Sequence, residues 1–276
     1  GQALIFARAS GEMIHVADVL WLMGDLARGR GDVSEAETLF RQAIERYEEL
    51  DAPLGIAKSL AKLAGTAKSR NDLDRAVEHY HAALEIYRAH GGRRGVAHQL
   101  NGLGDVARMR GDLSLAARHY RRAVDIFQSL RLPHDAAIAL SNLGLAALGD
   151  HRLEEAEDAL ERALRVSERV AFAYLTLGVK LNLAHVLALT GNKERSDALL
   201  DEAMALADEA ALVDPDYATP LEALAEIYVE SGRHDRASEV LKRAGQMWHE
   251  LGRAADLARV ESKRRALPLA GPAIAD

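Results

Sequence analysis

A period of forty residues governs this chain. Leu103-Gly104 is followed by Ala116, Tyr120 and Ala123. The same skeleton recurs upstream as Leu63-Ala64, Ala76, Tyr80, Ala83 and as Met23-Gly24, Ala36, Phe40, Ala43. Downstream it reads Leu143-Gly144, Ala156, Leu160, Ala163, then Leu183-Ala184, Ser196, Leu200, Ala203. After a one-residue slip it returns as Leu224-Ala225, Ala237, Leu241, Ala244. A fixed internal period of about 20 to 50 residues marks a repeat array, whose units bury apolar surface mainly against their neighbours. Val16, Val19, Leu20, Met23 and Ala27 recur at helical spacing, so each copy is expected to be a pair of antiparallel helices.

The repeat assigns the segments in order. Ala3 lies forty residues before Ala43, so residues 1–12 are expected to be the second helix of a preceding repeat, cut short. Residues 13–250 hold six repeats, 251–267 a capping helix with one wet face, and 268–276 a flexible tail. Gly31-Asp32 and Asn71-Asp72 supply left-handed turns between paired helices, and Ser34 with Glu37 has the spacing of a capping box. The small residues Gly24, Ala36 and Ala43 are expected to let helices approach closely, with Phe40 filling the space between them. Ahead of the fifth repeat no turn is evident, so its first helix is expected to extend towards Val170, while Asp214-Pro215-Asp216 breaks the chain before the sixth.

Composition narrows the chemistry. There is no Cys, which removes disulfides, thiolate nucleophiles and Cys-based metal sites and suits a cytoplasmic protein. A net charge of -7 disfavours general nucleic-acid binding, and no run of about eighteen apolar residues suggests a membrane span. Two Arg-Gly-Asp tripeptides, at Arg30 and Arg110, fall at equivalent turns, and the turn accounts for both. Gly102-Leu103-Gly104 lies inside a helix with no strand before it, so it is no dinucleotide loop. Among the eleven histidines, His79 and His119 stand one repeat apart on second helices, as surface residues and not metal ligands. Nothing brings together a nucleophile, a base and an orienting acid, so neither enzymatic activity nor a cofactor is expected.

The skeleton Leu103-Gly104, Ala116, Tyr120, Ala123, repeated over residues 3–250, resembles the tetratricopeptide repeats. That family's usual period is about 34 residues. The forty-residue form resembles the repeats of kinesin light chain, of LGN-like adaptors and of bacterial signalling proteins, and implies longer helices and longer links. The resemblance implies an all-α, right-handed superhelical solenoid whose concave groove is lined by first helices and binds a protein or peptide.

Candidate groove residues follow from that expectation. Asn142 and Asn182 occupy the same repeat position, directly before the Leu-Gly or Leu-Ala pair. In peptide-binding relatives an Asn there clamps the ligand backbone, and an amide can both donate to and accept from an extended peptide. The alternative is that these amides bond within the array. Asn101 lies one position earlier, and His185 follows Asn182 on the same helix. Lys58, Lys62, Lys68 and Arg108 make the N-terminal half of the groove basic, against Glu222, Glu226 and Glu230 at the other end. These charges either steer a partner or form a solvated face. Trp21 is either an interface anchor or a cover for apolar surface. The expected function is a protein-interaction scaffold within a larger signalling or regulatory protein, taking an extended, partly acidic peptide. Alternatives are a small-ligand-sensing array controlling an attached ATPase, kinase or DNA-binding domain, and a structural self-association module. No nucleic acid or membrane partner is expected.

Overall fold

A computed structural model of the chain describes residues 13–268. The expected partial helix at 1–12 and all of the expected tail beyond Pro268 lie outside the described residues. Among the described residues there are thirteen α-helices and no strand, making an all-α helical-repeat solenoid. The chain divides into two compact units, Gly1–Leu132 and Pro133–Asp276. The first holds α1 (Met13–Gly29), α2 (Val33–Glu49), α3 (Pro53–Ser69), α4 (Leu73–Ala89), α5 (Arg93–Met109) and α6 (Leu113–Ser129). The second holds α7 (Pro133–Gly149), α8 (Leu153–Arg169), α9 (Ala173–Leu189), α10 (Lys193–Glu209), α11 (Pro215–Glu230), α12 (His234–Glu250) and α13 (Ala254–Arg265). No feature of the sequence marked the division after the third helix pair.

Each of α1 to α10 has seventeen residues and is about 25 Å long. Three residues join most successive helices, both within a pair and between pairs. The forty-residue period is therefore two twenty-residue halves, and the expected longer links between repeats are absent. At every such link the chain closes in the same way. Gly31 is left-handed at φ 84°, its N–H donates to Arg28 O at 3.0 Å, and the Asp32 N–H donates to Ala27 O at 2.9 Å. This six-to-one bond satisfies a carbonyl that the helix end would leave orphaned. Glycine or asparagine occupies the left-handed position at 31, 71, 91, 111, 191, 232 and 252, but Asp51, Arg131, His151, Ala171 and Ala211 hold it too. For those residues the backbone costs about 1–2 kcal/mol, offset here by the same closing bonds, such as Phe172 N–H to Ser167 O at 3.0 Å.

Two local expectations are corrected, and the break before the sixth pair is located. The fifth pair's first helix does not extend to Val170, because Ala171 turns left-handed at φ 53° and α9 starts at Ala173. Ser34 and Glu37 form no capping box: α2 starts at Val33 behind Asp32, Ser34 O accepts from Thr38 Oγ1, and Glu37 pairs with Arg70. The one-residue slip lies in the link before α11. There Asp214 is extended, at φ -152° and ψ 145°, and accepts from Asp216 N–H at 2.8 Å, with Pro215 opening the helix.

Close approach inside each pair depends on the small column. A β-carbon at Gly24 would stand 2.8 Å from the Phe40 ring, one at Gly104 2.6 Å from the Tyr120 ring, and one at Gly144 2.5 Å from Leu160 Cγ. Ala36, Ala43, Ala76, Ala83, Ala116 and Ala123 have no exposed surface. A second seam joins successive pairs, where Gly55 lies under the Tyr47 ring and Gly95 under the Tyr87 ring. One core position departs from the pattern. Leu20, Leu100, Leu140 and Leu221 are buried at equivalent places, but α9 puts Lys180 there. Its ammonium reaches outward to Glu168 at 3.1 Å and to Glu202. Burial disfavours the charge, but the two glutamates outweigh it and raise the lysine above its usual range.

The last helix is held differently from the others. α13 buries Val260 alone, and its grip is ionic. Arg259 donates to Glu222 at 2.8 Å, Lys263 to Glu226 at 2.7 Å, and the Trp248 indole N–H to Glu222 at 2.9 Å. Burial pushes the Glu222 carboxyl up, but the bonds from Arg259 and Trp248 and the charges of Arg259 and Lys263 hold it below the usual value.

Three outcomes are expected from this packing. Ala116→Leu and Gly104→Leu should each lower stability by about 1–3 kcal/mol or more through overpacking, while Ala89→Leu, at an exposed helix end, should not; equal denaturant midpoints for the three would refute the close-contact column. Ala171→Gly, by removing the left-handed penalty, should stabilise by up to about 1 kcal/mol, and a lowered melting temperature would count against it. Because the folded Glu222 carboxyl titrates below its unfolded value, its contribution is complete above the usual carboxylate range and is lost as pH falls through the depressed value. In a Trp21→Phe background, Trp248 emission should then shift to the red before global unfolding, and an emission maximum that changes only with the global transition would sink the idea.

Candidate functional site

The first helix of each pair has one side committed to its partner helix through the small column and another to the neighbouring pairs. The remaining positions carry the candidate side chains. In the first unit they come from α1, α3 and α5, and they form a ladder of alternating charge. Asp25 on α1 accepts from Lys62 on α3 at 2.7 Å, and from Arg28. Burial would raise the Asp25 carboxyl, but the bonds from Lys62 and Arg28 hold it below its usual range. Lys68 on α3 donates to Asp105 on α5 at 2.5 Å, and Asp105 also accepts from the Tyr120 hydroxyl at 2.9 Å. Asp18 accepts from the Tyr47 hydroxyl at 2.6 Å. The basic stripe expected from the sequence is thus partly consumed within the array, since Lys62 and Lys68 already have carboxylate partners.

Two cations of this face are not bonded to carboxylates. The Lys58 ammonium stands 3.5 Å over the centre of the Trp21 ring, with Lys62 at 4.9 Å from the same centre. Arg108 is exposed in the last turn of α5, beside the Tyr120 hydroxyl. Trp21 is half-buried, tilted against Phe40 at 6.5 Å, and its indole N–H is buried without a hydrogen-bond partner. Both sequence readings of this residue therefore hold a part: the ring covers core, and Leu22 and Leu26 beside it are exposed. Asn101 is half-buried, and it is among the residues that do have a partner.

In the second unit α7, α9 and α11 supply the corresponding face. Asn142 on α7 is half-buried and has a partner. Asn182, one repeat on, is only 8% exposed, and no hydrogen bond joins its amide to another described residue. Its amide is not among the buried atoms left without a partner, so it keeps an opening to solvent. His185 follows three residues later on the same side of α9, half-buried, and burial holds its imidazole below the usual histidine range against the opposing pull of Glu226. The expected acidic end is corrected. Glu222 is an internal residue, 7% exposed and bonded to Trp248 and Arg259, and Glu226 is taken by Lys263. The sequence reading missed the role of α13 because its basic residues looked like an ordinary wet face; the signal available was their spacing of 37 residues from Glu222 and Glu226.

Among the described residues no group of three or more His, Cys, Asp or Glu could hold a metal ion, and no helix is long and apolar enough to cross a membrane. Grooves line the last helices, and a shallower one lies at the Gly31–Glu35 link. One of about 350 Å³ lies between α11, α12 and the end of α13, lined by Ala225, Val229, Leu241 and Leu267 among others.

The chain is similar to known proteins along most of its length. Residues 9–172 match the MalT-like TPR region, and residues 175–247 match a tetratricopeptide repeat. No curated protein matches it. Among solved structures, BtubC from P. vanneervenii is 23% identical, with a TM-score of 0.69 over 78% of this chain and 90% of that one. A signal-transduction ATPase with a tetratricopeptide repeat sensor, from Pyrococcus horikoshii, is 15% identical with a TM-score of 0.73, covering 92% of this chain and 39% of that one. A Rap protein complexed with competence and sporulation factor is 15% identical, with a TM-score of 0.64 over 92% of this chain and 74% of that one. These likenesses are of fold. With more than half of its length matched by the MalT-like TPR region, the chain belongs to the tetratricopeptide repeat family.

Proposed function

We propose that this chain is a protein-interaction module of a regulatory protein, and that it takes an extended peptide segment on its first-helix face. The observation that carries the reading is Asn182, a largely buried residue whose amide has no internal partner and reaches solvent, one repeat beyond Asn142. In the proposed complex Asn182 and Asn142 pair with the ligand's main-chain N–H and C=O groups in the second unit, and His185 lines the same side of α9. The first unit, taken by itself, offers Lys58 and Arg108 to acidic side chains of a ligand, and Lys62 joins them by exchanging its Asp25 partner. Asn101 and Trp21 flank that surface. Two neighbours in fold support a regulatory reading: one is a sensor within a signal-transduction ATPase, and another was solved with competence and sporulation factor. No catalytic role is proposed.

The test is affinity capture from the source cell, followed by calorimetric titration of the captured segment as a synthetic peptide. Each Asn→Ala change should weaken binding by about 1–3 kcal/mol, because it leaves ligand backbone groups unpaired. Asn182→Ala should leave the melting temperature unchanged or higher, since no internal bond is lost. Lys58→Ala should have a smaller effect that fades as salt is added. A folded Asn142→Ala/Asn182→Ala double variant with full affinity would remove the clamp.

A further inference from the structure

The second helices of the first unit carry a charge pattern that the first-helix face does not use. Residues 41, 81 and 121 are equivalent positions on α2, α4 and α6, and they are Arg41, His81 and Arg121, all exposed. His79 and His119, also one repeat apart, are half-buried beside them. Four groups act on the charge of His79: Arg41 and Arg75, opposed by Glu78 and Glu37. His119 is faced by Arg122, His81 and Arg118, opposed by Asp112. Two of the opposing carboxylates are engaged elsewhere. Glu37 is bonded to Arg70 at 3.3 Å and approached by Arg41 at 4.0 Å, and Asp112 accepts from its own helix at Leu115 N–H, at 2.9 Å.

Arg118 and Arg122 are exceptions to the way this array uses arginine. In the second unit, second-helix arginines reach back to the preceding second helix: Arg195 to Glu161 at 2.7 Å, Arg236 to Asp201 and Arg243 to Asp208. Arg118 and Arg122 stand exposed on α6, and neither is bonded to a carboxylate among the described residues. Closely set arginines, and histidines once protonated, repel one another unless an anion lies between them.

We propose that this band of α4 and α6, formed by His81, Arg118, His119 and Arg122 with Arg41 and Arg75 at its edge, is a docking surface for an Asp/Glu-rich segment of a partner protein. Discrete carboxylates suit it better than a nucleic-acid backbone. Exposed Glu85 and Asp125, one turn beyond His81 and Arg121, border the band and would repel a continuous line of phosphates. The neighbouring rings of Tyr80 and Tyr120 are buried, so no aromatic platform is offered to a base. Burial, together with the adjacent arginines, keeps both half-buried imidazoles below the usual histidine value. They therefore gain charge only as pH falls through that lowered value, and an acidic ligand binds more tightly there.

Fluorescence anisotropy of a labelled oligoglutamate peptide with the full chain tests the proposal. Binding should weaken as salt rises and tighten as pH falls below the ordinary imidazole pKa of about 6.5, because the half-buried imidazoles charge only beneath it. Arg118→Gln/Arg122→Gln should weaken it by about tenfold or more, while Arg162→Gln on α8 should not. Circular dichroism melting checks each fold, and His81→Gln, at an exposed position, gives a second and milder loss should the double variant unfold. Asn142→Ala/Asn182→Ala should bind the peptide as the parent does, which separates this surface from the amide clamp. The proposal is overturned by absence of binding at low salt, by a folded double variant with unchanged affinity, or by a single-stranded oligonucleotide of equal charge binding more tightly through the same arginines. It is also overturned if those arginines are needed for self-association, seen as concentration-dependent mass in light scattering, and the peptide does not bind.

Discussion

The array depends on one contact: a residue with little or no side chain lying under a ring or a leucine of the helix beside it. Gly24 under Phe40, Gly104 under Tyr120 and Gly144 under Leu160 are the same contact in three pairs. In these three pairs it draws the helices together until a β-carbon would overlap, while the other three hold Ala64, Ala184 and Ala225 in the same column. Because that docking repeats, equivalent residues in successive pairs face equivalent directions. The amides of Asn142 and Asn182 share a side of their helices for that reason, as do His79 and His119. The left-handed links work to the same end. With every chain reversal closed by the same six-to-one bond, a turn can be built on Ala171 or Arg131 as well as on glycine.

Charge is layered over this packing in a second regular pattern. Most ion pairs between successive repeats join residues 33 to 37 apart, one repeat less one or two helical turns, as in Arg70–Glu37, Lys62–Asp25 and Arg259–Glu222. Exposed pairs of this kind contribute little individually. Their consequence is for recognition: a cation bonded to a neighbouring repeat is less available to a partner. The informative side chains are those left outside the pattern, namely Lys58 on the Trp21 ring, Arg108, the amide of Asn182, and Arg118 with Arg122. At the C-terminal end the pattern becomes structural. α13 has almost no apolar face, and the buried Glu222 carboxylate holds it through Arg259 and Lys263. Removing either partner would leave a charge poorly compensated in a dry place.

Much of the architecture could be read from residue spacing. The columns of Gly or Ala against Phe, Tyr or Leu define helix pairs, because only a helix returns those positions to one side, and their recurrence defines the array. The turns at Gly31, Asn71, Gly111 and Gly191 were legible because glycine and asparagine favour left-handed backbone. Those at Asp51, Arg131, His151, Ala171 and Ala211 were not, since nothing local favours that backbone there and only the docked helices on either side impose it. That Asn142 and Asn182, and likewise Lys58 and Lys62, lie on first helices followed from the same spacing. What tertiary structure decided was which of those groups remain unpaired. Lys62 and Asp25 lie 37 residues apart, as do Glu222 and Arg259, and each pair is joined only when neighbouring repeats stack. A charge pattern along a sequence lists potential partners; the stacking of helices determines which are already bonded and which, like the largely buried Asn182 and the exposed Arg122, are left without an internal one.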